Sequence, residues 1–138
     1  MNKEITAAAN SISTQAENKS AFLAEALKPG EVYAGFIFGK DGAPDYHVFR
    51  QSGQIVDVDW DAYMAWVKSV GGKAPTLREL SLMFANIPEE FDKGAYWSGE
   101  QYESNDAFAW FQYFGSGGQN LHHKNDKLRG VAVRRLPI

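Results

Sequence analysis

Apolar residues are spaced differently before and after the Pro29-Gly30 pair. Residues 1–27 carry sparse apolar side chains at helical spacing among Ala, Ser, Asn, Lys and Glu, and this pattern predicts an amphipathic helix. Ser20 is the expected N-cap of its last segment, which Pro29 and Gly30 terminate. The apolar stripe is too thin to bury much surface by itself. Three alternatives therefore stay open: a frayed arm, a helix docked on the rest of the chain, and an oligomerising segment.

Apolar runs separated by turn-forming residues follow between residues 32 and 58. Val32–Gly39 has the pattern of a buried strand, and Asp45–Arg50 predicts a second strand after the turn at 40–44. A short apolar stretch, Ile55–Val58, comes after the next turn.

Two helices are predicted in the middle of the chain. Asp59 is the expected N-cap of a helix that runs to about Val70. Thr76 and Glu79 have the spacing of a capping box, in which each side chain accepts a hydrogen bond from the other residue's backbone N–H. This box opens a second helix that runs to about Asn86.

The remaining residues contain no further predicted helix. Short strands are predicted at Tyr96–Ser98, Phe108–Phe114, Gln119–His123 and Gly130–Arg135. Strands, two helices and then a meander of short strands predict an α+β domain. We expect a helical arm over residues 1–28 and one folded domain over residues 29–138.

Composition narrows the class of protein. The chain has 138 residues, of which 44% are hydrophobic and 14% aromatic, which suits one globular domain with an appendage. It contains no Cys, which excludes disulfides, Cys-ligated zinc, iron–sulfur clusters and thiol chemistry. The start of the sequence lacks the apolar core of a secretory signal, and no apolar run approaches the roughly 20 residues that span a bilayer. We therefore expect no membrane partner, and a location in the cytoplasm or in a particle assembled there.

Charge argues against nucleic acid as a partner. The formal net charge is −3, from 14 Lys and Arg against 17 Asp and Glu, so the molecule lacks the basic excess of a nucleic-acid binder. Acidic residues concentrate in 89–106 and basic residues in 119–135. Such neighbouring segments usually pair with each other or lie in solvent.

Three strings stand in a fixed order in the second half of the chain. They are GGKAPTLREL at 71–80, YWSGEQYESNDAFAWFQYFGSGGQ at 96–119 and LRGVAVRRLPI at 128–138. This layout resembles the DUF1566 family of bacterial and phage proteins, and residues 33–53 are similar to the opening hairpin of its small phage and prophage members. The resemblance implies a C-type-lectin-like fold, with two helices and short, mostly antiparallel strands, and a phage or prophage origin.

The sequence departs from the catalytic and calcium-binding branches of that fold. The sulfatase-modifying enzymes need active-site Cys residues, which this chain lacks. Calcium-dependent lectins carry Glu-Pro-Asn or Gln-Pro-Asp, and neither triplet occurs here. We therefore expect no enzymatic activity and no cofactor or metal. An enzyme of the sulfatase-modifying group stays a third alternative, which the absence of Cys disfavours.

Isolated polar residues give little support to catalysis. His122 and His123 are neighbours on a predicted strand and point to opposite faces, so they cannot share one ion. Ser98 lacks the Gly-x-Ser-x-Gly context of a nucleophile, and its hydroxyl is expected to satisfy a backbone group at a strand end. Of Arg134 and Arg135, one side chain is expected to point inward and to pair with a loop carboxylate or carbonyl groups.

Eight of the nineteen aromatic residues fall between Tyr96 and Phe114. Trp97 and Trp110 match the family motif and are expected in the core. Bulky side chains at 107–114 occupy both strand parities, so one face cannot hide them all. Some of the neighbouring side chains should therefore approach the surface, from the set Tyr102, Phe108, Gln112 and Phe114.

In the variable ligand-binding relatives this stretch forms the recognition face. By position, the resemblance implies a binding surface of Glu100, Tyr102, Glu103, Asn105, Phe108, Gln112, Gln119, Asn120, His122 and Lys124. The alternative is ordinary packing with a solvated rim. The expected function is non-catalytic recognition of a host or phage protein, either as a small inhibitor in the host cytoplasm or as a virion or tail-associated recognition module. Self-association through the arm would add avidity to the latter.

Overall fold

The computed structural model describes residues 3–138. They form α1 (Lys3–Ala26), β1 (Val32–Ile37), β2 (Tyr46–Arg50), β3 (Ile55–Val58), α2 (Trp60–Ser69), α3 (Leu77–Asn86), β4 (Ala95–Gln101), β5 (Phe108–Tyr113), β6 (Gln119–His123), β7 (Leu128–Gly130) and β8 (Val133–Pro137). A short 3-10 turn at Pro88–Glu90 follows α3. This order confirms the α+β class. In the described range, no helix combines the length and the apolar character needed to cross a membrane.

The strands form two sheets. Three strands pair in the order β1-β2-β8, and five in the order β3-β7-β4-β5-β6. All pairs are antiparallel except β4 with β7. The prediction of one strand over Gly130–Arg135 is wrong, because the chain crosses from the five-stranded to the three-stranded sheet at Val131 and Ala132. Both crossing residues are buried.

The two shorter helices cover opposite faces of the five-stranded sheet. Successive side chains of a strand point to opposite faces, and the neighbours Tyr96 and Trp97 belong to different core clusters. Tyr96 packs with Leu80 of α3, whereas Trp97 packs with Tyr63 of α2. We call the two sides the α3 face and the α2 face. Covering both faces explains why bulky residues occur at both strand parities.

Local capping fixes where α2 and α3 begin. Asp59 accepts a hydrogen bond from the backbone N–H of Ala62 at 2.9 Å, which confirms it as the N-cap of α2. The hydroxyl of Thr76 accepts from the N–H of Glu79 at 3.1 Å, and the Glu79 carboxylate accepts from the N–H of Thr76 at 2.8 Å. The predicted capping box of α3 is therefore confirmed.

Helix α1 is continuous through Ser20, so the predicted break there is wrong. The neighbouring Ala, Glu and Lys residues favour helix enough to continue it across that position. The side chains from Asn10 to Ala21 are all exposed. Among the side chains of α1 that the structure describes, those of its last turns contact the domain, where Phe22 packs on His47 with ring centroids 4.4 Å apart. The described residues therefore show a helix that is docked at its C-terminal end and not along its length.

Candidate functional site

Gln112 was predicted to belong to the binding surface, but this prediction is wrong because its side chain is fully buried. Its Nε2 donates to the backbone carbonyl of Leu80 in α3 at 3.1 Å, so the helix both covers this amide and satisfies it. Phe114 is buried as well. Trp97 is fully buried as predicted, whereas Trp110 is only half-buried because it lies on the sheet beyond the start of α3.

The other predicted surface residues are exposed or half-buried but do not form one surface. Pairing of β5 with β6 places Phe108 on the same face as His123, and Gln112 on the same face as Gln119. That is the α3 face. The alternate pairs place Asn120 and His122 on the α2 face.

On the α2 face, His122 is held in one orientation. Its Nδ1 is hydrogen-bonded to the carboxylate of Asp126, and its ring packs against those of Phe111 and Trp97, with centroids 5.0 and 6.3 Å away. In the part of the chain that the structure describes, no three or more acidic or His side chains come together where they could hold a metal ion.

Several of the predicted polar residues have structural partners. The Glu100 carboxylate accepts from the backbone N–H of Leu77 at 2.6 Å and so caps α3 from outside. The Lys124 ammonium lies 4.5 Å from the ring centre of Trp60 and donates to Gln101 Oε1 at 2.6 Å. The side chain of Asn105 accepts from the N–H of Ala107 at 3.0 Å. Glu103 lies exposed in the same loop.

The hydroxyl of Ser98 satisfies backbone groups as predicted, but Ser98 lies in the interior of β4 and not at a strand end. Its hydroxyl donates to the carbonyl of Trp110 at 2.7 Å and accepts from the N–H of Glu100 at 3.1 Å. The hydroxyl is therefore occupied by the backbone of β4 and β5 rather than directed at a cleft.

An aromatic stripe remains on the α3 face where the helix does not cover it. We define it by five half-buried or exposed residues, Tyr102, Phe108, Trp110, Leu121 and His123. The Tyr102 and Trp110 rings meet edge to face at 5.9 Å, and the Phe108 and His123 rings lie 5.3 Å apart. Since Gln112 and Gln119 lie on the same face, the stripe continues the sheet surface outward from the start of α3.

A groove of about 470 Å³ adjoins that face, between the end of β1 and the first half of α3. Its main lining residues are Phe36, Phe38, Leu77, Arg78, Leu82 and Gln119. Phe36 is 45% and Phe38 67% exposed, and their rings meet edge to face at 5.3 Å.

The prediction of a buried strand over Val32–Gly39 is wrong at Phe36 and Phe38. Ile37 between them is buried, so the segment buries only one face at this end of an edge strand. The alternation Phe-Ile-Phe was the available signal, but it cannot show which face is covered.

An amide network that includes the buried Gln112 positions one polar residue of the groove. Gln119 Nε2 lies 2.7 Å from Gln112 Oε1, 2.9 Å from Ser81 Oγ and 2.9 Å from the Leu77 carbonyl, and these three acceptors share its two N–H groups. Because these bonds fix the amide, Gln119 stands at the groove in one orientation. Among the described residues, Gln119 Oε1 makes no hydrogen bond.

The two neighbouring arginines of β8 support the surrounding elements. Arg135 donates from Nε and Nη2 to the two carboxylate oxygens of Glu79, at 2.7 and 2.8 Å. Arg134 donates in the same manner to Glu31, and also to the carbonyl of Ala26 at 2.7 Å. The predicted carboxylate partner is thus present for both side chains, although the partner of Arg135 lies in a helix and not in a loop.

The acidic and basic segments meet at one ion pair in the described range, Asp92 with Arg129 at 3.7 Å.

Burial, together with the nearby charge of Glu79, raises the pKa of the Tyr46 hydroxyl to about 12. Tyr46 therefore stays protonated at neutral pH, beside the Glu79–Arg135 pair.

No family model and no curated protein matches the chain.

Proposed function

We propose that the chain is a non-catalytic protein-binding module that recognises a host protein through the groove and the aromatic stripe. The exposure of Phe36 and Phe38 beside a preformed groove carries the proposal. Adjacent exposed aromatic side chains form an apolar surface patch, and such patches are typical of interaction sites. In keeping with the family resemblance, we propose a C-type-lectin-like fold and a phage or prophage origin.

The residue types on this surface support protein recognition. Aromatic side chains and Arg contribute most of the binding energy in protein interfaces, and here Phe38, Trp110 and Arg78 are available. The surface stands on strands and a helix, and the amide of Gln119 is already fixed. Little ordering is therefore required when a partner binds.

The separation of the polar groups supports a non-catalytic role. Glu100 is used at the start of α3, whereas the His122–Asp126 pair lies at β6 on the α2 face. General acid–base catalysis requires such groups within hydrogen-bond reach of one reacting atom.

Of the two binding roles, we propose first an inhibitor that acts on a host protein in the host cytoplasm, for example a defence component. The second is a virion or tail-associated recognition module. Helix α1 favours this second role, because its exposed residues from Asn10 to Ala21 offer a surface for association and several linked copies bind with higher avidity.

The experiment is affinity capture with the full chain from bacterial lysate, followed by purification of the captured protein and measurement of its Kd. We expect the Phe36→Ala/Phe38→Ala double variant and Tyr102→Ala each to weaken binding at least tenfold, about 1.4 kcal/mol. The matched control is Tyr113→Ala, because this aromatic is 44% exposed and lies on the α2 face with Phe111. Equal affinity of the wild type and the double variant would overturn the proposal.

A further inference from the structure

We infer that the groove binds an extended protein segment by strand addition at Phe36, on the outer edge of β1, with an acidic side chain of that segment on Arg78. This inference rests on the proposed function and specifies the kind of partner that the groove takes. In this mode of recognition, backbone hydrogen bonds supply affinity and side-chain pockets supply specificity.

The register of the three-stranded sheet shows which backbone groups of β1 are free. Asp45 accepts a hydrogen bond from Ile138, so this residue and every second one after it face β8. Tyr46 and Val48 therefore face β1, where they pair with Ile37 and Gly35. In an antiparallel ladder the residue between two bonded pairs points away from its partner strand. The N–H and C=O of Phe36 consequently point to the outer edge.

Side chains of α3 close this edge on both sides of Phe36. Asn86 Nδ2 donates to the carbonyl of Ala34 at 2.7 Å, and Arg78 Nη2 donates to the carbonyl of Phe38 at 3.0 Å. Among the described residues, the N–H and C=O of Phe36 have no partner. These two side chains cover the carbonyls on either side of Phe36, whereas the N–H and C=O of Phe36 itself stay open.

The glycine at position 35 permits this arrangement. Its φ is +118°, and a Cβ there would lie 2.9 Å from Asn86 Nδ2. A larger residue would push Asn86 away and would leave the carbonyl of Ala34 open as well. One donor and one acceptor thus remain at Phe36, the number that a single residue of an added strand satisfies.

The walls of the groove define the side chains of the added segment. A residue opposite Phe36 places its side chain on the same face as Phe36 and Phe38, where an apolar group is favoured. Arg78 is the charged residue among those that line the groove, and it forms no ion pair with the described residues. Its remaining N–H groups can bind a carboxylate. The expected segment alternates apolar and acidic residues.

The probe is the peptide acetyl-Thr-Val-Glu-Val-Glu-Thr-amide, titrated into the full chain. We expect hydrogen exchange of the Phe36 amide to slow at least tenfold at saturation. N-methylation of both valines should weaken binding at least tenfold, because it removes backbone donors without changing the protein. Arg78→Gln should weaken binding several-fold, whereas the matched control Lys127→Gln, an exposed cation of the β6–β7 turn, should not.

Absence of binding at millimolar peptide, or binding with unchanged exchange at Phe36, would overturn strand addition. The same exchange measurement on the captured partner separates the two proposals. Protection of the aromatic stripe without protection of Phe36 overturns strand addition and leaves the proposed function intact. Peptide binding at Phe36 without any partner whose affinity depends on Phe36 and Phe38 overturns the proposed function instead.

Discussion

Arg135 and Glu79 form a bidentate ion pair between the last strand of the three-stranded sheet and the first turn of α3. The Glu79 side chain is completely buried, and it also accepts the backbone N–H of Thr76. One carboxylate thus joins the N-terminal cap of α3, which packs on the five-stranded sheet, to β8 of the three-stranded sheet. It thereby holds α3, one wall of the groove, in place.

Removing the cation should destabilise the fold. In Arg135→Met the carboxylate of Glu79 stays buried without its partner, and we expect a loss of about 3 kcal/mol in the free energy of unfolding at neutral pH. Urea unfolding measures this loss. The double variant Arg135→Met/Glu79→Gln removes both charges and should lose less. An equal loss in the single and double variants would contradict the ion pair as its cause.

Stability should also depend on pH through two ion-paired carboxylates whose side chains are buried, those of Glu79 and Glu31. Burial opposes ionisation of Glu79, but its hydrogen bonds from Arg135 and Thr76 outweigh this effect, so its pKa lies below the ordinary 4.5. The hydrogen bond from Arg134 likewise lowers the pKa of Glu31. Groups with a lowered pKa stabilise fully above their unfolded value and lose this contribution as the pH falls through the folded pKa.

We therefore expect the free energy of unfolding to fall below about pH 4.5 in the wild type. The fall should be smaller in Arg134→Met/Arg135→Met, because the pKa of each carboxylate then loses its main lowering cause. Chemical denaturation at a series of pH values measures both curves. Parallel curves for the two proteins would contradict this account.

The amide network of Gln112 and Gln119 should couple stability to the groove. Gln112→Leu preserves side-chain bulk but leaves Gln119 Nε2 and the carbonyl of Leu80 with one partner fewer. We expect a loss of about 1–3 kcal/mol in stability and weaker binding at the groove, because Gln119 is no longer fixed. Asn125→Leu, an exposed amide in the β6–β7 turn, serves as control and should change neither quantity.

Helix α1 should associate with other copies of the chain. A helical segment without tertiary packing has only marginal stability in water. In α1 the side chains from Asn10 to Ala21 are exposed, and Ile12 is 67% exposed, so association with other copies would cover its apolar stripe. We expect light scattering to give an oligomeric mass for the wild type and a monomeric mass for Ile12→Asp. The adjacent Ser13→Asp adds the same charge outside the apolar stripe and should stay oligomeric. A monomeric wild type would contradict association.

Features determined by short sequence segments were predictable. The starts of α2 and α3 depend on Asp59, Thr76 and Glu79, whose hydrogen bonds reach only three residues along the chain. The burial of Gln112 was not predictable, because it depends on a helix about 30 residues earlier. The exposure of Phe36 and Phe38 likewise depends on the position of β1 at a sheet edge. Sequence alternation does not specify this position.

The pairing of β2 with β8 encloses the whole five-stranded sheet, since β3 to β7 all lie between these two strands in the sequence. The three-stranded sheet therefore holds together the two ends of the segment that forms the five-stranded sheet. A strand added at β1 would add a fourth strand to this sheet. Because a ligand that binds only the folded state stabilises it, occupancy of the groove would raise the free energy of unfolding of the domain and its resistance to proteolysis.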